Sequence, residues 1–199
     1  CPNSVVNNWA KNVEECFPGT PVLTKEFNES FVKQRGQKFL VLNYEYFQQP
    51  NSGKKVRTIL DASKIDMIII DEIHYTKQRT AENMSKRKET IKNLVVEAGE
   101  KNKNLKVIGM SATPVINNLY EGRTMIEMIT GKSYDDLDTK PNIPNCMKIY
   151  QLLTTLGTRQ MPEYEMQLVE RNIEVDATEY LGEIKSVQPI LKSCRSGQY

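Results

Sequence analysis

Short apolar runs alternate along this chain with segments whose apolar residues recur at helical spacing. Val5, Trp9, Val13 and Cys16 share one helical face; Ser4 stands where it can cap that helix, and Phe17-Pro18-Gly19 ends it. The spacing of Trp9 with its apolar neighbours predicts a packing anchor. A short extended piece is expected at residues 21–24 and a helix near 26–35. The run KFLVLN at 38–43 reads as a strand, and residues 44–49 as a helical stretch. After the turn-like Pro50-Asn51-Ser52-Gly53, Val56, Ile59 and Leu60 return to helical spacing.

The clearest strand is DMIII at 66–70. Its continuous apolar character predicts a strand buried on both faces of a parallel sheet. A long polar helix is expected at about 80–101, with Ile91, Leu94, Val95 and Ala98 on one face. A second buried strand follows at 105–110, then helices at 117–130 and 143–156. Beyond Arg159 the pattern changes: residues 165–175 read as an extended strand, with a last helix from about Thr178. Strands alternating with helices in this way predict an α/β fold, a parallel sheet flanked by helices.

Charge narrows the function less than pattern does. Lys and Arg total 27 against 25 Asp and Glu, so the net charge of +2 gives no bulk attraction to nucleic acid. Any basic surface must be local. Lys77, Arg79, Lys86, Arg87 and Lys88 form one basic run, which fits a nucleic-acid path or the wet face of a helix. Cys1, Cys16, Cys146 and Cys194 make no CxxC pair and His74 is the single histidine, which excludes a structural zinc site. Scattered cysteines suit a reducing, intracellular compartment. No apolar run approaches the roughly 18 residues that a membrane span needs.

Candidate chemistry gathers at two strand ends. Asp71-Glu72-Ile73-His74 follows the DMIII run directly. Ligands of open parallel sheets bind beyond the carboxyl ends of strands. ATP hydrolysis needs a carboxylate for Mg²⁺ and a second group for the attacking water, and adjacent acids can divide those tasks. A solvated strand-to-helix turn, its acids favoured by the helix dipole, would carry similar letters. Ser111-Ala112-Thr113-Pro114 ends the next strand. Alone it reads as a turn ended by proline, but small hydroxyls at that tip can hydrogen-bond a histidine on the neighbouring strand.

With both motifs in this order the chain resembles superfamily-two helicases, whose motif II is DExH and motif III is SAT. Further stretches resemble the Swi/Snf branch: CPNSVVNNWAKNVEECFPG is similar to motif Ia, FLVLNYEYF to motif Ib, and His74 through Lys77 to a DEAH-x-x-K pattern. SATPVINNLYE resembles that branch's extension of motif III, here Thr113, Pro114, Asn117, Asn118 and Glu121. The resemblance covers roughly residues 1–137. It implies a RecA-like lobe at 1–160, with 161–199 leading toward a second RecA-like lobe. It further implies ATP and Mg²⁺ as cofactors and duplex DNA, bound through its backbone, as partner. Asp71 would act on Mg²⁺ through water and Glu72 on the attacking water. His74, Ser111 and Thr113 would couple nucleotide state to the bound strand. Pro2, Asn3 and Ser4, and Asn43 and Tyr44, match the positions that touch nucleic acid in such motors.

A phosphate-binding G-x-x-x-x-G-K-[ST] loop does not occur in the 199 residues. Gly131-Lys132-Ser133 has Ile126 where the first glycine belongs, and Gly53-Lys54-Lys55 lacks both the hydroxyl and that glycine. In the family resembled, the loop lies upstream of motif Ia. The chain opens on Cys1-Pro2 and closes on a polar stretch, so it is expected to be a fragment, inactive by itself. An RNA helicase, a restriction-enzyme motor and a degenerate lobe that binds nucleic acid without hydrolysis remain open beside the duplex-DNA translocase.

Overall fold

A computed structural model describes residues 1–24, 27–76, 85–113, 115 and 118–160. The expected strand at 165–175 and the helix from Thr178 lie outside the described residues, as do Lys77, Arg79, Pro114 and Asn117. The fold is α/β, with short parallel strands flanked by helices. A 3₁₀ turn at Asn3–Val5 leads into α1 (Val6–Cys16), followed by β1 (Val22–Leu23), α2 (Glu29–Lys33) and β2 (Phe39–Leu40). A second 3₁₀ turn, Tyr44–Phe47, precedes α3 (Ser52–Ala62) and β3 (Met67–Ile70). A third, Ile73–Thr76, carries the chain past β3; then come α4 (Lys86–Lys101), β4 (Lys106–Gly109), α5 (Leu119–Thr130) and α6 (Ile143–Leu156).

The caps differ from expectation at one point. Ser4 does not cap α1, because residues 3–5 wind into the 3₁₀ turn and the α-helix starts beyond it, with no side chain capping its first turn. α3 likewise has no side-chain cap, whereas side-chain oxygens take free N–H groups at four other helices: Asn28 caps α2, Ser85 caps α4, Asn118 caps α5 and Asn142 caps α6. Asn118 receives the amide of Glu121 at 3.1 Å, so part of the NNLYE signature is a helix start.

Parallel pairing falls into two separate pairs among the described residues, β1 with β2 and β3 with β4. Ile68 lies opposite Val107 and Ile69 opposite Ile108. The expectation of a strand buried on both faces is corrected here. Ile70 is buried and Ile68 packs on the core, but Met67, Ile69 and Ile108 are exposed on the other face. The described helices bury one side of this pair, and side chains alternate across a strand.

That covered side is the main core. Val56, Ile59 and Leu60 of α3 meet Ile91, Leu94, Val95 and Ala98 of α4, as their spacing predicts, with Tyr44, Phe47, Ile70, Ile73, Met125 and Met128. The sheet has to come very close to the chain that follows it. A Cβ on Gly109 would stand 2.7 Å from Ile73 Cδ1 and 3.1 Å from Ile129 Cδ1, so β4 has glycine where Ile73 seats.

Candidate nucleotide and nucleic-acid site

β3 and β4 end side by side, and their backbones lock the two candidate motifs together. Met110 donates its N–H to the Ile70 carbonyl at 2.9 Å, and Ile73 donates to the Met110 carbonyl at 2.8 Å. Asp71 and Glu72 therefore leave the sheet between two fixed points. Glu72 takes φ +50°, the one non-glycine residue in the left-handed region among those described. Such a conformation costs on the order of 1 kcal/mol and persists only where its surroundings over-determine it.

Those surroundings include Tyr44. Its phenol donates to the Asp71 carbonyl at 2.6 Å, with the Glu72 carbonyl at 3.3 Å. Burial, reinforced by the Asp71 charge, pushes the Tyr44 hydroxyl well above its ordinary range, so it stays a donor. The ring stacks on Tyr75 at 5.6 Å, and the Arg87 guanidinium lies 5.3 Å from its centroid. At 2% exposure the Tyr44 side chain offers no surface to nucleic acid; the acids' backbone takes its hydroxyl instead. Tyr44→Phe should leave the partly buried Asp71 carbonyl without this donor and lower stability by about 1 kcal/mol. Urea unfolding followed by circular dichroism measures this, and an unchanged midpoint would deny the clamp.

The side chains of the acids are held differently. Asp71 accepts the indole N–H of Trp9 on Oδ2 at 2.8 Å. His74 Nδ1 lies 3.2 Å from Ser111 Oγ and 3.0 Å from Glu72 Oε2. The contact to Glu72 is close in distance, yet Oε2 is buried with no aligned donor. The ring nitrogen can serve only one of the two along its N–H direction, and the Ser111 contact is the one with hydrogen-bond geometry. Ser111 Oγ in turn accepts the Thr113 amide at 3.1 Å, which curls the chain after β4.

The expected nucleic-acid residues sit next to this centre. Asn43 donates through Nδ2 to Asn3 Oδ1 at 2.9 Å, while its own Oδ1 caps the 3₁₀ turn containing Tyr44. The Cys1 backbone N donates to the Leu42 carbonyl, and Tyr44 N to the Cys1 carbonyl, so the two stretches run together. Asn3 and Ser4 are exposed, and Pro2 and Asn43 are half-buried. The basic run divides. Lys86 is exposed and Arg87 is engaged with Tyr44 and Tyr75, but Lys88 is 3% exposed, and burial lowers its ammonium to about 8. Lys88 is thus a buried side chain and not part of a wet basic face.

The donor set suits magnesium better than a metal caged by protein. No three His, Cys, Asp or Glu side chains cluster to hold an ion among the described residues. Magnesium keeps several waters and needs only one or two carboxylates beside the phosphates. Asp71 could supply such a carboxylate, with Oδ1 left over from the indole contact. One participant escaped the sequence reading. The spacing of Trp9 favours a packing anchor; the available signal for a further role was its N–H, because an indole taken partly out of water needs an acceptor.

No helix among the described residues is long and apolar enough to cross a membrane. A comparison with curated proteins gave no match. The family model of the type III restriction enzyme res subunit matches residues 2–116, more than half of the chain and all of the site described above. The chain therefore belongs to the type III restriction enzyme res subunit family, helicase-like ATP-dependent nucleic-acid motors of superfamily two.

Proposed function

We propose that the intact gene product drives movement along double-stranded DNA by ATP hydrolysis, in the manner of Swi/Snf-type translocases. The observation that carries this reading is the meeting of His74 with both Glu72 and Ser111, at 3.0 and 3.2 Å, across the ends of two parallel strands. Bound Mg²⁺·ATP supplies a phosphoryl group for transfer to water, with the metal offsetting charge on the phosphate oxygens. Asp71 would hold a water of the cation's shell through its carboxylate. Glu72 orients the attacking water and takes its proton through its carboxylate. His74 senses that exchange and passes it to Ser111, and through the Ser111–Thr113 curl to the chain beyond. Asn3, Ser4 and Asn43 contact the DNA backbone without reading sequence.

A restriction-enzyme motor is the second reading, favoured by the family match over residues 2–116. It moves on the same polymer, so one assay tests what the two share. ATP turnover should rise about tenfold or more with duplex DNA and fall back steeply between about 50 and 200 mM salt, as phosphate contacts require. Stimulation by RNA alone would assign the protein to another helicase branch. A folded protein with no turnover on any nucleic acid would favour a degenerate binding lobe.

A further inference from the structure

Trp9 is the single tryptophan of the chain, and it reaches from α1 across 62 residues of sequence to the first acid of the DExH motif. A half-buried indole could satisfy its N–H on any nearby carbonyl or on water; here the acceptor is the Asp71 carboxylate, at 2.8 Å. A hydrogen bond to an ionised acceptor is roughly twice as strong as a neutral one. The torsion that orients an aspartate carboxylate is broad and two-fold, so a free carboxylate turns easily. The indole contact removes that freedom at Oδ2, while Tyr44 fixes the Asp71 backbone from the other side at 2.6 Å. Two aromatic residues from separate segments thus define where Oδ1 stands.

We propose that Trp9 is a positioning residue for Asp71, its N–H pinning Oδ2 so that Oδ1 faces the water shell of a nucleotide-bound divalent cation. This role rests on the assignment of Asp71 to the cation. Loss of a partner that orients a metal-side carboxylate weakens metal binding by about tenfold or more. Trp9→Phe deletes the N–H and keeps an aromatic six-membered ring on α1, at the loss of the smaller indole ring, so the Asp71→Asn arm and the double variant separate the contact from the packing.

Two measurements test the role without using turnover. In the ¹⁵N-labelled chain the one indole N–H resonance should shift clearly with Asp71→Asn. In the intact gene product with ADP present, Mn²⁺ binding followed by the electron spin resonance of the free ion should weaken about tenfold in Trp9→Phe. Asp71→Asn should weaken it at least as much, and the double variant no further, because the two groups act as one unit. An indole resonance unmoved by Asp71→Asn would overturn the pairing. Wild-type and Trp9→Phe proteins that bind Mn²⁺ equally would overturn the positioning role while leaving the assignment of Asp71 intact. No Mn²⁺ uptake by the wild type would remove that assignment, and the role of Trp9 with it.

Discussion

Glu72→Gln should abolish DNA-stimulated ATP turnover in the intact gene product, by about a hundredfold or more, while leaving thermal stability close to wild type. The two halves of this result have separate causes. A positioned general base contributes about 10²–10⁴-fold, and an amide cannot accept the proton. Stability is spared because glutamine has the same shape and backbone demands, and His74, which lies 3.0 Å from Glu72 Oε2, keeps its aligned contact to Ser111. Nucleotide and DNA should still bind, so the variant is expected to stall on its substrate. Steady-state ATPase beside a melting curve decides the matter. Turnover within a few-fold of wild type would move the base elsewhere, whereas a large fall in melting temperature would make Glu72 a structural residue.

Ile73→Ala should behave in the opposite way, with stability as the primary loss. Ile73 lies between the two acids' turn and the core, with no exposed surface. It packs on Gly109, where even one added carbon would come within 2.7 Å. Truncating such a side chain removes apolar burial and leaves a cavity that packed strands cannot fill, which costs about 2–5 kcal/mol. Against the roughly 5–15 kcal/mol of a whole domain, that is a large share. Urea titration of the far-ultraviolet signal should show a midpoint well below wild type with little change in slope. A loss under about 1 kcal/mol would mean that the seat of Ile73 does not anchor the acids. Any fall in activity should then track the folded fraction, which separates this variant from Glu72→Gln.

Much of this arrangement was legible in the residues. The helical spacing of Val56, Ile59 and Leu60, and of Ile91, Leu94, Val95 and Ala98, named core faces that the structure buries. The apolar runs before Asp71 and Ser111 marked two strands, now seen to be parallel neighbours. Boundaries were less legible. The expected strand at 38–43 pairs only at Phe39–Leu40, because pairing depends on a neighbour and not on local composition. The helix expected to start at Ser4 begins later, since a 3₁₀ turn at 3–5 was an equally good use of the same residues. An apolar run could not say that only one face of β3 would be covered by the described residues, because burial belongs to what packs on a strand. In the candidate site, motif order singles out Asp71, Glu72, His74 and Ser111, and the structure brings these four together at the ends of β3 and β4. What spacing could not reveal was which partner each would take: Tyr44 turns inward to the acids, and Trp9 gives its N–H to Asp71. Both contacts join segments far apart in sequence, and no local pattern records them.

The left-handed backbone at Glu72 bears on any attempt to make this protein more robust. A search for stabilising substitutions would single out position 72 early, since glycine adopts φ +50° without strain and would relieve the turn. That gain would come at the residue whose carboxylate the proposed chemistry requires. Robustness and turnover therefore pull on the same residue in opposite directions, as at many active sites. Engineering for stability is better aimed at the exposed face of β3 and β4, where Met67, Ile69 and Ile108 meet solvent and none of the site's hydrogen bonds is anchored.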